Sequence, residues 1–171
     1  MPFGFYEDFP SHIHRVESFA SGCSNLQLQQ KLIQCLYEIN RKEFSFEEVA
    51  NPTIPGCKLI FEFGLAGDEG FNYIDKEEAK KVLSLLMGAH LHIMDFFCGV
   101  RYYKSKEDKK TALRFDYYLL RTIFNQGKVE IQVHHERGPR YVSPEDLIMF
   151  ILKEMNQGTD KKVLRKTKSV A

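Results

Sequence analysis

The sequence predicts an α+β domain: a mainly antiparallel sheet, formed by an N-terminal hairpin and a C-terminal three-stranded meander, with about three helices on one face. Three observations carry that expectation. Helical periodicity and β-rich runs succeed one another without a repeating βαβ unit. The β-rich runs of the second half are joined by short turn or charged segments, as in a meander. The helix starts carry capping residues at the right positions. With 171 residues, one domain over 1–157 is expected, followed by a basic, flexible tail over 158–171.

In chain order, "PSHIHRVESFA" is a short strand. In "SNLQLQQKLIQCLYEINRK" Leu28, Leu32, Cys35, Leu36 and Ile39 recur at three- and four-residue steps, which predicts a helix with Ser24 as N-cap. "EFSFEEVANPTIPGC" is expected to be a loop, because Pro52 and Pro55 withdraw amide donors and bias their predecessors away from helix. "KLIFEFGLAGDEGFNYI" predicts a hairpin around Gly67-Asp68. Asp75 then caps a helix whose apolar stripe is Val82, Leu85 and Leu86, with Gly88 as its stop.

The meander comprises "HLHIMDFFCGVRYY", "TALRFDYYLLRTIF" and "KVEIQVHH". Ser143, with Pro144 at the first helical position and two acids in the first turn, starts the closing helix; Val142 and Leu147 fit a hydrophobic staple. For "FNQGK" a three-residue turn with Gly127 in the left-handed position sets Phe124 opposite Lys128. Leu113, Phe115, Tyr117, Leu119 and Ile123 then share a core face with Val129, Ile131 and Val133. The polar face takes Arg114, Asp116, Tyr118 and Thr122, with Tyr118 opposite His134 and Asp116 opposite Glu136. His135 points the other way.

Fourteen Phe and eight Tyr argue for a folded core rather than disorder. No apolar run reaches the roughly 18 residues a bilayer span needs, and "MPFGFYEDFP" lacks the basic and apolar regions of a secretory signal. A cytoplasmic protein without membrane partners is expected. Cys23, Cys35, Cys57 and Cys98 include no close pair, so free thiols are expected instead of disulfides or a cysteine zinc site. The net charge of +1 hides an asymmetry: residues 1–100 carry −6 and residues 101–171 carry +7.

Several catalytic readings fail on chemistry. Gly64, Gly67 and Gly70 lack phosphate-loop spacing, and Asp68 and Glu69 would repel phosphate. An Asp and Glu-x-Lys nuclease centre would need Glu130 near Asp116. In the expected register Glu130 faces Thr122, about 20 Å from Asp116 at about 3.3 Å per residue, and Gln132 replaces the lysine. No G-x-S-x-G elbow is present.

Two site hypotheses remain. The basic and aromatic 101–141 region fits a non-catalytic protein that binds RNA or another polyanion. Arg101, Lys104, Lys106, Lys109, Lys110, Arg114, Arg137 and Arg140 would engage phosphates, and Tyr102 and Tyr118 would stack on bases. Alternatively Asp116, His134 and Glu136 have ligand chemistry for a divalent metal and would centre a metal-dependent enzyme. The pairs His12/His14 and His90/His92 place imidazoles on one side of their strands. No other cofactor is evident. Leu120 and Tyr118 on an otherwise polar face raise a third reading, an interaction module or homodimer.

Overall fold

The computed structural model describes residues 3–106, 109–157 and 163–167, with the backbone alone for 105, 106 and 109–113. The elements are β1 (Arg15–Ala20), α1 (Asn25–Asn40), β2 (Glu43–Ser45), β3 (Cys57–Gly67), β4 (Gly70–Tyr73), α2 (Lys76–Leu86), β5 (Ile93–Lys106), β6 (Lys109–Asn125), β7 (Lys128–Arg137), α3 (Pro144–Asn156) and β8 (Arg165–Lys166). They form one antiparallel sheet in the order β2-β3-β5-β6-β7-β1-β8, with β4 also paired to β3. The fold is the α+β class that the sequence predicts, with three α-helices among the described residues.

Caps and apolar stripes explain the helices. Ser24 and Gln27 form a reciprocal capping box at the start of α1, Asp75 accepts from the Glu78 amide before α2, and Ser143 accepts from the Asp146 amide before α3. The α1 stripe of Leu28, Leu32, Leu36 and Ile39 is buried, and Cys35 lies at its edge. Buried Asn40 fixes the end of α1 to the sheet: its amide donates to the Phe63 and Ile74 carbonyls, and its oxygen accepts from the Phe63 amide. Phe150 of α3 stacks on Phe61 with centroids 5.1 Å apart and meets Phe44 edge-on at 5.0 Å. Each such fully buried ring stabilises the fold by about 1.5–3 kcal/mol.

The β6–β7 register differs from the expected one by a single residue. Asn125 pairs with Lys128 around a two-residue turn, Gln126-Gly127, and Gly127 adopts a φ of +81°. Phe124 therefore pairs with Val129, Thr122 with Ile131 and Leu120 with Val133. The period of a strand is two, so this one step exchanges the faces of β6. Asp116, Tyr118, Leu120, Thr122 and Phe124 are buried under the helices, whereas Phe115, Tyr117 and Ile123 look outward. Leu119 also belongs to the outer row, although it is covered. Leu113 lies outside the residues whose side chains are described.

Two segments expected to be irregular are ordered parts of the sheet. The loop after α1 contains β2 and a short 3-10 turn, Phe46–Glu48. Part of the expected flexible tail docks: Val163 and Leu164 are buried, Asn156 bonds Leu164 twice, and β8 pairs with β1. Residues 158–162 and 168–171 of that tail lie outside the described residues.

The N-terminal residues cross the outer face of the sheet as a strap. The Gly4 amide donates to the Ala66 carbonyl at 2.7 Å, and the Asp95 amide donates to the Gly4 carbonyl at 2.6 Å. Buried Asp95 accepts from the Tyr6 amide and takes a two-pronged ion pair from Arg121 at 2.8 and 2.9 Å. The Arg121 guanidinium lies 5.1 Å from the Phe5 ring centroid and 4.5 Å from that of Phe9. Desolvated cation–ring contacts of this kind contribute up to about 2 kcal/mol. The strap covers the row Ala66–Asp95–Arg121 and leaves the rows beyond it open.

Candidate nucleic-acid interface

The open part of the outer face is set by strand pairing. Gly99 lies between Glu62 and Tyr117, and Arg101 lies between Ile60 and Phe115. Tyr117 pairs with Arg137. The aromatic residues of this lattice form a ladder across four elements. Centroid separations are 5.0 Å from Tyr6 to Phe71, 6.0 Å from Phe71 to Phe97, 5.2 Å from Phe97 to Tyr117 and 4.9 Å from Tyr117 to Phe115. The Phe97 and Tyr117 rings flank Gly99, where a Cβ would meet both at ordinary contact distance. Phe115, at the free end, is 46% exposed.

Cations stand at that same end. Arg101, Lys104, Arg114, Arg137 and Arg140 are exposed. Arg101 and Arg137 pair with Phe115 and Tyr117 on the outer face, whereas Lys104 and Arg114 share the strand parity of buried Tyr102 and Arg140 lies in the β7–α3 connection. Glu62 holds Arg101 at 3.0 Å. The side chains of Lys106, Lys109 and Lys110 lie outside the described residues. Tyr102 and Tyr118, the expected stacking residues, are fully buried beneath the helices and cannot meet a base. Burial first, then the neighbouring Tyr118 and Asp116, raise the Tyr102 hydroxyl far above the ordinary tyrosine value.

The expected metal set is divided between the two faces. A bulge between Tyr117 and Tyr118 leaves Glu136 without a Cα partner, and Tyr118 pairs with His135 rather than His134. Asp116 is fully buried on the helix side. It accepts from the Tyr102 hydroxyl at 2.5 Å, His135 Nε2 at 2.9 Å, the Arg140 amide at 2.6 Å and the Tyr141 amide at 3.0 Å. Gly138, at φ +113°, lets the chain turn tightly over this carboxylate; a Cβ there would collide with Asp116 Oδ1 and the Phe115 carbonyl. Tyr118 donates its hydroxyl to the Val142 carbonyl. Asp116 thus ties the β7–α3 connection to the sheet, with its four acceptor interactions already filled.

His134 instead meets the N-terminal histidines. Ring centroids are 4.5 Å apart for His12 and His14, 5.1 Å for His14 and His134, and 6.4 Å for His12 and His134. The nitrogens of this cluster are largely committed. His134 Nδ1 donates to the His12 carbonyl at 2.7 Å, and His134 Nε2 meets Glu136 at 3.0 Å. His14 Nδ1 accepts from the His135 amide at 3.0 Å. A neutral imidazole that accepts at Nδ1 carries its proton on Nε2, so His14 presents no lone pair to an ion there. Among the described residues no group of three or more His, Cys, Asp and Glu side chains is arranged to hold a metal. His90 and His92 are exposed between α2 and β5, beside a 670 Å³ cleft at the opposite end of the sheet.

The four cysteines are free, and Cys57 and Cys98 are buried. Burial raises the Cys98 thiol well above its ordinary value and the Cys35 thiol to about 12, so neither is a ready nucleophile. No helix among the described residues is long and apolar enough to cross a membrane.

Sequence reasoning assigned the platform residues Phe115 and Tyr117 to the core and left out Phe71, Phe97 and Tyr6. One signal was legible: Phe3, Phe5, Tyr6 and Phe9 crowd the first ten residues, an apolar density suited to a segment packed on the domain. No protein-family profile, curated protein or solved structure matches the chain.

Proposed function

We propose that the chain binds single-stranded nucleic acid, RNA foremost, across the open half of its outer sheet face. The observation that supports this reading is the exposed end of the aromatic ladder, Phe115 and Tyr117, set between Arg101 and Arg137. Unpaired bases stack on aromatic rings with little regard to sequence, and cations beside the rings engage the phosphates. Arg101 and Arg137, which pair with Phe115 and Tyr117, are the phosphate contacts in this reading. Glu62 tempers Arg101, so affinity is expected to rest on stacking as much as on charge. No step of covalent chemistry is involved.

The test is binding of a fluorescent uridine-rich RNA of about twelve nucleotides, a length within the usual site sizes of such platforms, over a salt series. Two phosphate contacts predict that log K falls with log salt at a slope of about −1.4, from about −0.7 per contact on a single strand. No retention at low salt would remove the reading. A stable dimer that Phe115→Ala dissolves would favour self-association through the same exposed ring instead.

A further inference from the structure

The histidine cluster joins the incoming strap to β7, and the join depends on the protonation state of one ring. Three contacts make it: the His14 amide donates to the Val133 carbonyl at 2.9 Å, His134 Nδ1 donates to the His12 carbonyl, and His14 Nδ1 accepts from the His135 amide. Only the last needs a lone pair on an imidazole. An imidazolium has N–H groups at both positions, so protonated His14 would turn a donor toward the His135 amide and leave that amide without its acceptor. The surroundings also oppose a second positive charge. On the strap side stands His12; from β7 come His134, His135 and Glu136; from β6 comes Asp116, bonded to His135; and from the β7–α3 connection comes Arg140. The acids face His134 and His135, whereas His14 faces the cation and the other rings.

We propose that His14 is an acid-released latch: when it takes a proton, residues 10–14 detach from β7 while the strap stays clasped at Asp95 and Arg121. Desolvation first, then Arg140 and the three neighbouring histidines, lower the His14 value below the ordinary imidazole value of 6.5. A lowered value means that the folded state prefers neutral His14. The stability it contributes is therefore complete above that ordinary value and is lost as pH falls through the lowered one. The two ends of the strap differ in this respect. The Asp95–Arg121 end is an ion pair with backbone bonds and contains no histidine. Release is local, and it frees the edge of the sheet beside Leu119 and Tyr117, because His134 pairs with Leu119.

The test is hydrogen exchange of the full chain at about pH 7.5 and about pH 5.5, a window chosen to span imidazole titration and corrected for the intrinsic pH dependence of amide exchange. Peptides covering 10–16 and 132–137 are expected to exchange up to about tenfold faster at the lower pH, the change one proton produces per pH unit between the ordinary value of the released imidazole and its lowered folded value. Peptides from α1 and β3 should not change. His14→Asn places an amide oxygen where Nδ1 stood, keeps the acceptor and removes the titration; its 10–16 peptide should be indifferent to pH. Equal acceleration in His14→Asn, or none in the unsubstituted chain, overturns the latch. Nitrogen NMR of the unsubstituted protein supplies a readout independent of that variant. His14 should titrate below the ordinary range together with loss of His135 amide protection, and titration without that loss contradicts the proposal.

Discussion

The two faces of the β5–β6–β7 region carry similar residues in opposite circumstances. Under the helices, Tyr102 and Tyr118 are fully buried and each hydroxyl has a fixed acceptor, Asp116 or the Val142 carbonyl. On the other face, one residue along β6, Tyr117 and Phe115 stand in an aromatic ladder that ends in water. The inner rings stabilise the fold and have no surface to offer a ligand. The outer rings cost the fold exposed apolar area, which is what a binding platform looks like in free energy. Residue type alone does not separate the two roles; the parity of the strand does.

The largest effect should come from the inner face. Asp116→Ala removes the shared acceptor of Tyr102, His135 and two backbone amides, and should destabilise the protein by about 3–5 kcal/mol, comparable to breaking a buried ionic pair. Urea unfolding measures it, and a loss below about 1 kcal/mol would show that the carboxylate is not the tie described. A smaller loss, about 1–3 kcal/mol, is expected for Tyr118→Phe, which strands the buried Val142 carbonyl without changing ring packing. RNA affinity of this variant should match that of the unsubstituted chain. The smallest effect sharpens the outer side of the comparison. Arg137→Ala should leave the unfolding midpoint in place and reduce the salt slope of RNA binding by about 0.7, one phosphate contact.

How much of this was legible in the sequence follows from how each feature is encoded. Ser24, Asp75 and Ser143 cap their helices through contacts three residues away, so local pattern was enough. The β6 faces were not legible, because both are apolar. Phe115, Tyr117, Leu119 and Ile123 alternate with Tyr118, Leu120, Thr122 and Phe124, and the pattern fits either face inward. The turn had to decide, and Asn125 joined the strand pairing rather than the turn. That single residue moved Asp116 away from His134 and exchanged the buried tyrosines for the exposed ones. The meeting of His12 and His14 with His134 spans more than a hundred residues, and no local period reports a contact of that separation. The strap was missed for a similar reason: its partners, Ala66, Asp95 and Arg121, lie on three different strands.

The most direct measurement sets the outer rings against an inner one in a single binding experiment at low, fixed salt. The double variant Phe115→Ala with Tyr117→Ala should fold and lose at least about tenfold in affinity for the uridine-rich RNA, since each stacked base contributes about 1–3 kcal/mol. Tyr102→Phe should bind as the unsubstituted chain does. Unchanged binding by the folded double variant would contradict a role for the exposed ladder.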